Sequence, residues 1–238
     1  MKNILTVAIL CAGIASFTSC NSFLDENPKS SMTSAAYNQT ADQIIGQVNY
    51  LYRNGVPDKL TNMGGAYRGS SISVQCMLTG YFTNAQEGQE VDCAYARRLE
   101  RQQFTQSVCT YQTNDVWTSC YKVLNIANNV IKYVDGINMS DQAKYKAEAE
   151  FFRAWNYFYL VKMFGDVPMI TEPTEGVVEY PTRTAKVDVY NNVIIPDLKD
   201  AIENLPAATF VANGHRVTKY AAEMVLADVY MMLGQYAD

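Results

Sequence analysis

Histidine is nearly absent from this chain: His215 is the only one in 238 residues. That scarcity removes Ser/His and Cys/His nucleophile systems unless they rest on this single residue, and it removes any zinc centre built on paired histidines. His215 lies in NGHR at 213–216, a turn before a helix, where surface decoration is the expected role. HExxH, GxSxG, a dinucleotide fingerprint and HxE with paired cysteines are all missing. GGAYRG at 64–69 has the GxxxxG spacing of a phosphate loop but lacks both the following lysine and an apolar strand before it. Glu87, Glu90 and Asp92 are close together in a polar stretch, and a solvated acidic loop explains them better than the carboxylate pair of a glycosidase. Positive charge is not in excess. The formal net charge of −5 disfavours a nucleic-acid footprint. Together these absences predict a protein that is not an enzyme and carries no metal or cofactor.

Hydrophobic residues make up 48% and charged ones 18% of the chain, a globular balance. Seventeen tyrosines outnumber nine phenylalanines, and tyrosine serves wet binding surfaces and helical packing alike. Residues 1–19 read as a signal peptide: Lys2 gives a positive start, 4–14 an apolar stretch, and Thr18-Ser19 a small-residue approach to Cys20. Cys20 is the expected lipid-bearing residue of a bacterial lipoprotein, which would join an otherwise soluble fold to a membrane. Cys11 would leave with the signal. The remaining Cys76, Cys93, Cys109 and Cys120 show no CxxC spacing, and free thiols are expected, although an exported protein permits disulfides.

Residues 20–39, with Ser and Asn recurring around Pro28 and no apolar periodicity, read as a tether. Domain residues follow from 40 to 238. Periodic apolar positions predict helices near 41–53, 114–134, 141–164, 185–204 and 218–233. Thr40 with Gln43 fits a capping box, Ser140 and Thr218 are placed to cap, and Gly55, Gly165 and Gly234 stand at helix ends. Pro196 falls inside the fourth helix and predicts a kink there. Ile72, Val74, Cys76 and Leu78 alternate with Ser71, Ser73, Gln75 and Met77, which allows a short strand. The rest of 55–112 reads as a long irregular loop. In 151–164, seven of fourteen residues are aromatic, with Arg153, Asn156 and Lys162 interrupting, too polar a run for a membrane span. It reads as a core helix whose first half is one-sided and whose second half is nearly enclosed.

Two stretches carry resemblances. LADVYMMLGQYA at 226–237 resembles the first helix of a tetratricopeptide repeat, whose partner helix should follow at once. FFRAWNYFYLVKMFGDVPMITEP at 151–173, with CNSFLDENP at 20–28 and RVTK at 216–219, resembles the SusD/RagB family of outer-membrane nutrient-binding lipoproteins. The likeness covers 20–54 and 113–238. It implies a mostly α, tetratricopeptide-like helical-repeat scaffold with long irregular loops, incomplete at its C-terminus and corresponding to the N-terminal half of such a protein. It also implies a non-catalytic surface lipoprotein of the outer membrane that binds glycans and passes them to a TonB-dependent (SusC-like) transporter. The alternative is a helical-repeat scaffold lipoprotein for protein–protein assembly without a small ligand. No family motif matches in 60–112, so the ligand residues are chosen there by chemistry. Tyr81 and Tyr95 offer flat faces for a sugar ring, and Asn84 and Arg97 offer donors.

Overall fold

The computed structural model describes residues 37–56, 76–83, 94–103, 106–176 and 181–236, all within one compact unit, Ser34–Asp238. The elements are α1 (Ala41–Asn54), α2 (Ala94–Glu100), α3 (Gln106–Tyr133) ending in a 3-10 turn (Val134–Gly136), and α4 (Gln142–Phe164). After these come α5 (Lys186–Val189), a π turn (Tyr190–Ile194), α6 (Ile195–Asn204) and α7 (Lys219–Leu233). Among the described residues there is no strand, only an isolated antiparallel bridge between Val167 and Thr184. The fold is the expected mostly helical one.

α4 is the axis, packing against α1, α3, α6 and α7. From Ala147 to Val161 every residue but Trp155 is buried. Phe151, Phe152, Tyr157, Phe158 and Leu160 share one core with Ile44, Val48 and Leu51 of α1, Leu124, Ala127 and Val130 of α3, Ile194 of the π turn and Leu198 of α6. The aromatic rings meet edge to face, the preferred geometry for their quadrupoles: Tyr52 on Phe152 at 5.0 Å and Trp117 on Phe164 at 5.1 Å. The first half of α4 is not one-sided, however. Glu148 is 0% and Glu150 5% exposed, because a loop arginine and α6 cover the face that its glutamates mark as polar.

The Thr40–Gln43 capping box forms in both directions. Gly55 closes α1 for lack of space, not for conformation: its φ is −82°, and a Cβ would stand 2.5 Å from the Leu51 carbonyl oxygen and 2.7 Å from Phe152 Cδ1. At α4 the cap is Asp141, in the left-handed region at φ 61°, in place of Ser140, and no side chain accepts there. Gly165 does take the positive φ, 70°, at the C-terminus. Thr218 is extended and begins α7, yet its hydroxyl makes no capping bond. Gly234 ends α7 at φ 72°, and the Gln235 N–H reaches back to the Tyr230 carbonyl, as a left-handed terminus allows.

Proline 196 is absorbed by a π turn. The Ile195 N–H bonds the Tyr190 carbonyl five residues back, and Pro196 then occupies the first turn of α6, where a missing N–H costs nothing. Three expectations for 55–112 need correction. Residues 76–78 are helical where alternation suggested a strand, Ala94–Glu100 is a helix, and α3 begins at Gln106, eight residues before the expected 114. Asn114 looks like a helix start, but the run before it contains neither Gly nor Pro, and the helix passes through. Cys76 is a free thiol, as expected, and Cys120 is buried in α3.

Candidate functional site

The segment after α4, residues 165–176, is a strap laid along α3 and α4, and its carbonyls are met by side chains spaced along one helical stripe. Tyr121, Asn125, Asn128 and Lys132 recur at intervals of four, three and four on α3, which puts them on one face. Tyr121 Oη donates to the Pro168 carbonyl at 2.8 Å. Asn128 Nδ2 donates to the carbonyls of Ile170 and Glu172 at 2.9 and 3.2 Å. Asn125 Oδ1 accepts from the Thr174 N–H at 2.8 Å. Lys132 pairs with Glu172 at 3.3 Å and Glu175 at 3.7 Å. From α4, Tyr157 Oη donates to the Ile170 carbonyl and accepts its N–H, at 2.8 and 2.7 Å. Burial pushes the Tyr157 phenol up to about 12, so the hydroxyl keeps its proton.

Arg153 stands beneath. Its Nε and Nη2 donate to Asp197 at 2.7 and 2.8 Å, and its Nη1 donates to Asn128 Oδ1 at 3.0 Å. Burial would disfavour this charge, and the Asp197 carboxylate more than restores it. At the far end of the strap, Val167 and Thr184 exchange backbone bonds, and Asp166 accepts from the Lys186 N–H at 2.9 Å, capping α5 from outside its own helix. The FGDVP segment is therefore structural: its aspartate starts a helix and its carbonyls are consumed.

A second cluster fixes the 205–218 loop. Arg216 donates through Nε to Glu148 at 2.8 Å and through Nη2 to the other oxygen, and through Nη1 to Asn49 at 3.1 Å. Its guanidinium lies over Tyr52, 4.5 Å from the ring centroid. His215 is exposed, as expected, with φ 62° and its ring edge to face with Phe210.

None of these groups forms a nucleophile and base pair; each is spent on positioning. What remains free for a ligand are exposed aromatic rings. Tyr81 is 91% exposed with Phe82 beside it. Tyr95 and Arg97 lie on α2, not in a loop, two residues apart, a spacing that does not share a helix face. Arg97 is half-buried and engaged within the protein. Asn84 and Cys20 lie outside the described residues. Tyr81 thus stands in solvent. Sequence reading missed the strap ladder and both arginine clusters; their signal was the polar residues embedded in apolar runs, Asn128, Glu148, Arg153 and Asn156. Among the described residues no His, Cys, Asp or Glu group is arranged to hold a metal, and no helix is long and apolar enough to cross a membrane.

The described residues form a mostly helical fold around one buried helix, α4. Residues 22–231 match the SusD-like family described as starch-binding and associating with the outer membrane, and the chain belongs to that family. SusD-like protein P2 of Formosa agariphila is 27% identical over 218 residues, 90% of this chain and 40% of the relative. A SusD-like protein of Bacteroides ovatus is 36% identical over 122 residues, 48% of this chain and 21% of the relative. The chain therefore spans less than half the length of these curated relatives. A SusD superfamily crystal structure from Parabacteroides distasonis superposes with a TM-score of 0.66 at 26% identity, covering 84% of this chain and 40% of that one. A laminarin-binding SusD-like protein shares the fold with a TM-score of 0.69 at 23% identity, over 84% of this chain and 42% of that one.

Proposed function

We propose that this chain is part of a non-catalytic, lipid-anchored glycan-binding protein of the outer membrane, attached through Cys20 after removal of residues 1–19 and a tether at 20–39. The observation that carries this reading is the match over residues 22–231 to a family described as starch-binding and outer-membrane-associated. The ligand is an oligo- or polysaccharide, delivered to a TonB-dependent transporter. Tyr81, Asn84, Tyr95 and Arg97 form the ligand-binding set, with Tyr81 the strongest member because its ring is open to solvent. A groove lies between α6 and α7. That groove is about 390 Å³ and is lined by Ile202, Leu226, Ala227, Tyr230 and Met231.

The test is titration of the full-length protein with starch-type α-glucan and laminarin-type β-glucan oligosaccharides. Tyr81→Ala and Tyr95→Ala are expected to weaken binding about tenfold, the loss of one stacked ring, with unchanged unfolding midpoints. No binding to any glycan by a folded full-length protein would overturn the reading. The second reading, a scaffold for protein assembly, is favoured by the exposed apolar residues of α7, Tyr220, Met224, Met231 and Met232. Cys20→Ala should leave unprocessed precursor that no longer fractionates with membranes; normal membrane recovery would contradict the anchor.

A further inference from the structure

The double bond between Arg153 and Asp197 fixes the register of α4 against α6. One turn back along α4 lies Glu150, and one turn on along α6 lies Asp200, so the next rung of this contact sets carboxyl against carboxyl. Glu150 is 5% exposed. Among the described residues no N–H or O–H donor reaches its Oε2. The groups that face it from α6 are Asp200 and Asp197; from α4 they are Arg153 and Lys146. Neither cation is free to neutralise it. Arg153 is committed to Asp197 and Asn128, and Lys146 turns to Asp135 of the 3-10 turn at 2.8 Å. Asp200 is half-buried and takes one long bond from Asn204 Nδ2 at 3.4 Å; two such acceptors repel unless a proton lies between them, and a carboxylic acid donating to a carboxylate satisfies both.

We propose that Glu150 and Asp200 share one proton that clips α4 to α6, and that this proton makes the helix pair, and the strap that Arg153 supports, responsive to pH. Burial above all, then the hydrogen bond to Asp200 and the charges of Asp197 and Asp200, push the Glu150 carboxyl up to about 9, against the pull of Arg153. The sign follows from linkage. In the unfolded chain Glu150 ionises in the ordinary carboxylate range; in the folded chain it holds its proton to about 9. Folding therefore takes up a proton between those limits. The clip contributes fully below the ordinary range and is lost as pH rises through about 9. Ion-paired carboxylates behave oppositely, gaining stability as they ionise.

The experiment is thermal unfolding of the full-length protein and its Glu150→Gln and Asp200→Asn variants, at about pH 6 and about pH 9. Glutamine keeps the shape and donates an N–H to Asp200 without titrating. The expected result is a wild-type midpoint that falls by roughly 4 °C or more across this range, a Glu150→Gln midpoint that falls by clearly less, and a crossing in which the variant becomes the more stable at the alkaline end. A variant that tracks wild type throughout overturns the proposal. Carboxyl carbon NMR of the wild type decides even if Glu150→Gln fails to fold. Glu150 titrating in the ordinary range ends the proposal, as does a titration that Asp200→Asn leaves unmoved.

Discussion

Two arginines hold buried carboxylates in this fold, and they do different work. Arg153 projects from α4 to Asp197 of α6, both nearly enclosed, at 11% and 8% side-chain exposure. It joins helices that are already packed and, through Nη1, adds Asn128 and, at 3.5 Å, the Thr171 carbonyl of the strap. Arg216 comes from an irregular connection and reaches Glu148, whose side chain is 0% exposed while the arginine is 23% exposed. Its neighbours in the loop have few other anchors: the Val217 N–H on Tyr52 Oη at 3.0 Å, and Asn213 Nδ2 on the Arg216 and Val217 carbonyls. The comparison teaches where a buried charge matters. Between regular elements it fixes register; at a loop it ties down a segment whose Phe210 and Val211 stay exposed.

The sharpest way to break the comparison is truncation. Arg153→Ala leaves Asp197 buried without its cation, and about 3–5 kcal/mol of destabilisation is expected, with the strap residues 168–174 losing hydrogen-exchange protection. Arg216→Ala orphans Glu148, but water can follow where the arginine was already part-exposed, so a loss of about 3 kcal/mol is expected. Here protection should vanish in 205–218 and persist in the strap. Denaturant unfolding with exchange mapping checks both. If both variants loosen the same segment, the two clusters are one network and the distinction fails. Arg216→Lys should recover little, because an ammonium cannot make the paired bonds or stack on Tyr52 in the same way.

The contrast also explains what could be read from the chain itself. Apolar periodicity found α1, α4, α7 and the run from α5 through the π turn to α6 nearly to their ends, since each presents a repeating face to the core. The family signature at 151–173 was equally visible. Glu148 was not, because its partner lies 68 residues away in a segment without periodicity. The same holds for Asn128, whose role appears only when the strap lies over α3, and for Pro196, whose cost is removed by a π turn that no local rule announces. Of the chosen ligand residues, Tyr81 stands exposed, while Tyr95 and Arg97 lie on α2, a helix where a loop was expected.

Intermediate effects sharpen the picture of close approach. Gly55→Ala puts a Cβ against the Leu51 carbonyl and the Phe152 ring, and it disturbs the carbonyl that accepts from Asn156 at 2.8 Å. Overpacking of this kind costs about 1–3 kcal/mol, measurable as a shifted denaturant midpoint with unchanged slope. Tyr121→Phe removes a single strap bond, for about 1 kcal/mol, with the ring still packed on Trp117 at 4.9 Å.

The smallest effect is expected at the end of the same ladder. Lys132 reaches Glu172 and Glu175 across the surface, and its side chain is 40% exposed, with the glutamates 74% and 59% exposed. The bond to Glu172 raises the lysine's pKa slightly against a small burial cost, so the charge is present at any ordinary pH. Charge is not the same as contribution. In water the pair gains little Coulomb energy, spends side-chain entropy, and is screened within a Debye length of about 8–10 Å at physiological salt. Lys132→Ala should therefore leave the unfolding midpoint unresolved from wild type, and any small difference at low salt should vanish as salt is added. Asn128→Ala, one turn away and buried at 1% exposure, should by contrast give a loss that salt does not change. A salt-insensitive loss at Lys132 would mean that the strap is held from its exposed edge, and that the buried stripe beneath it is not what positions this segment.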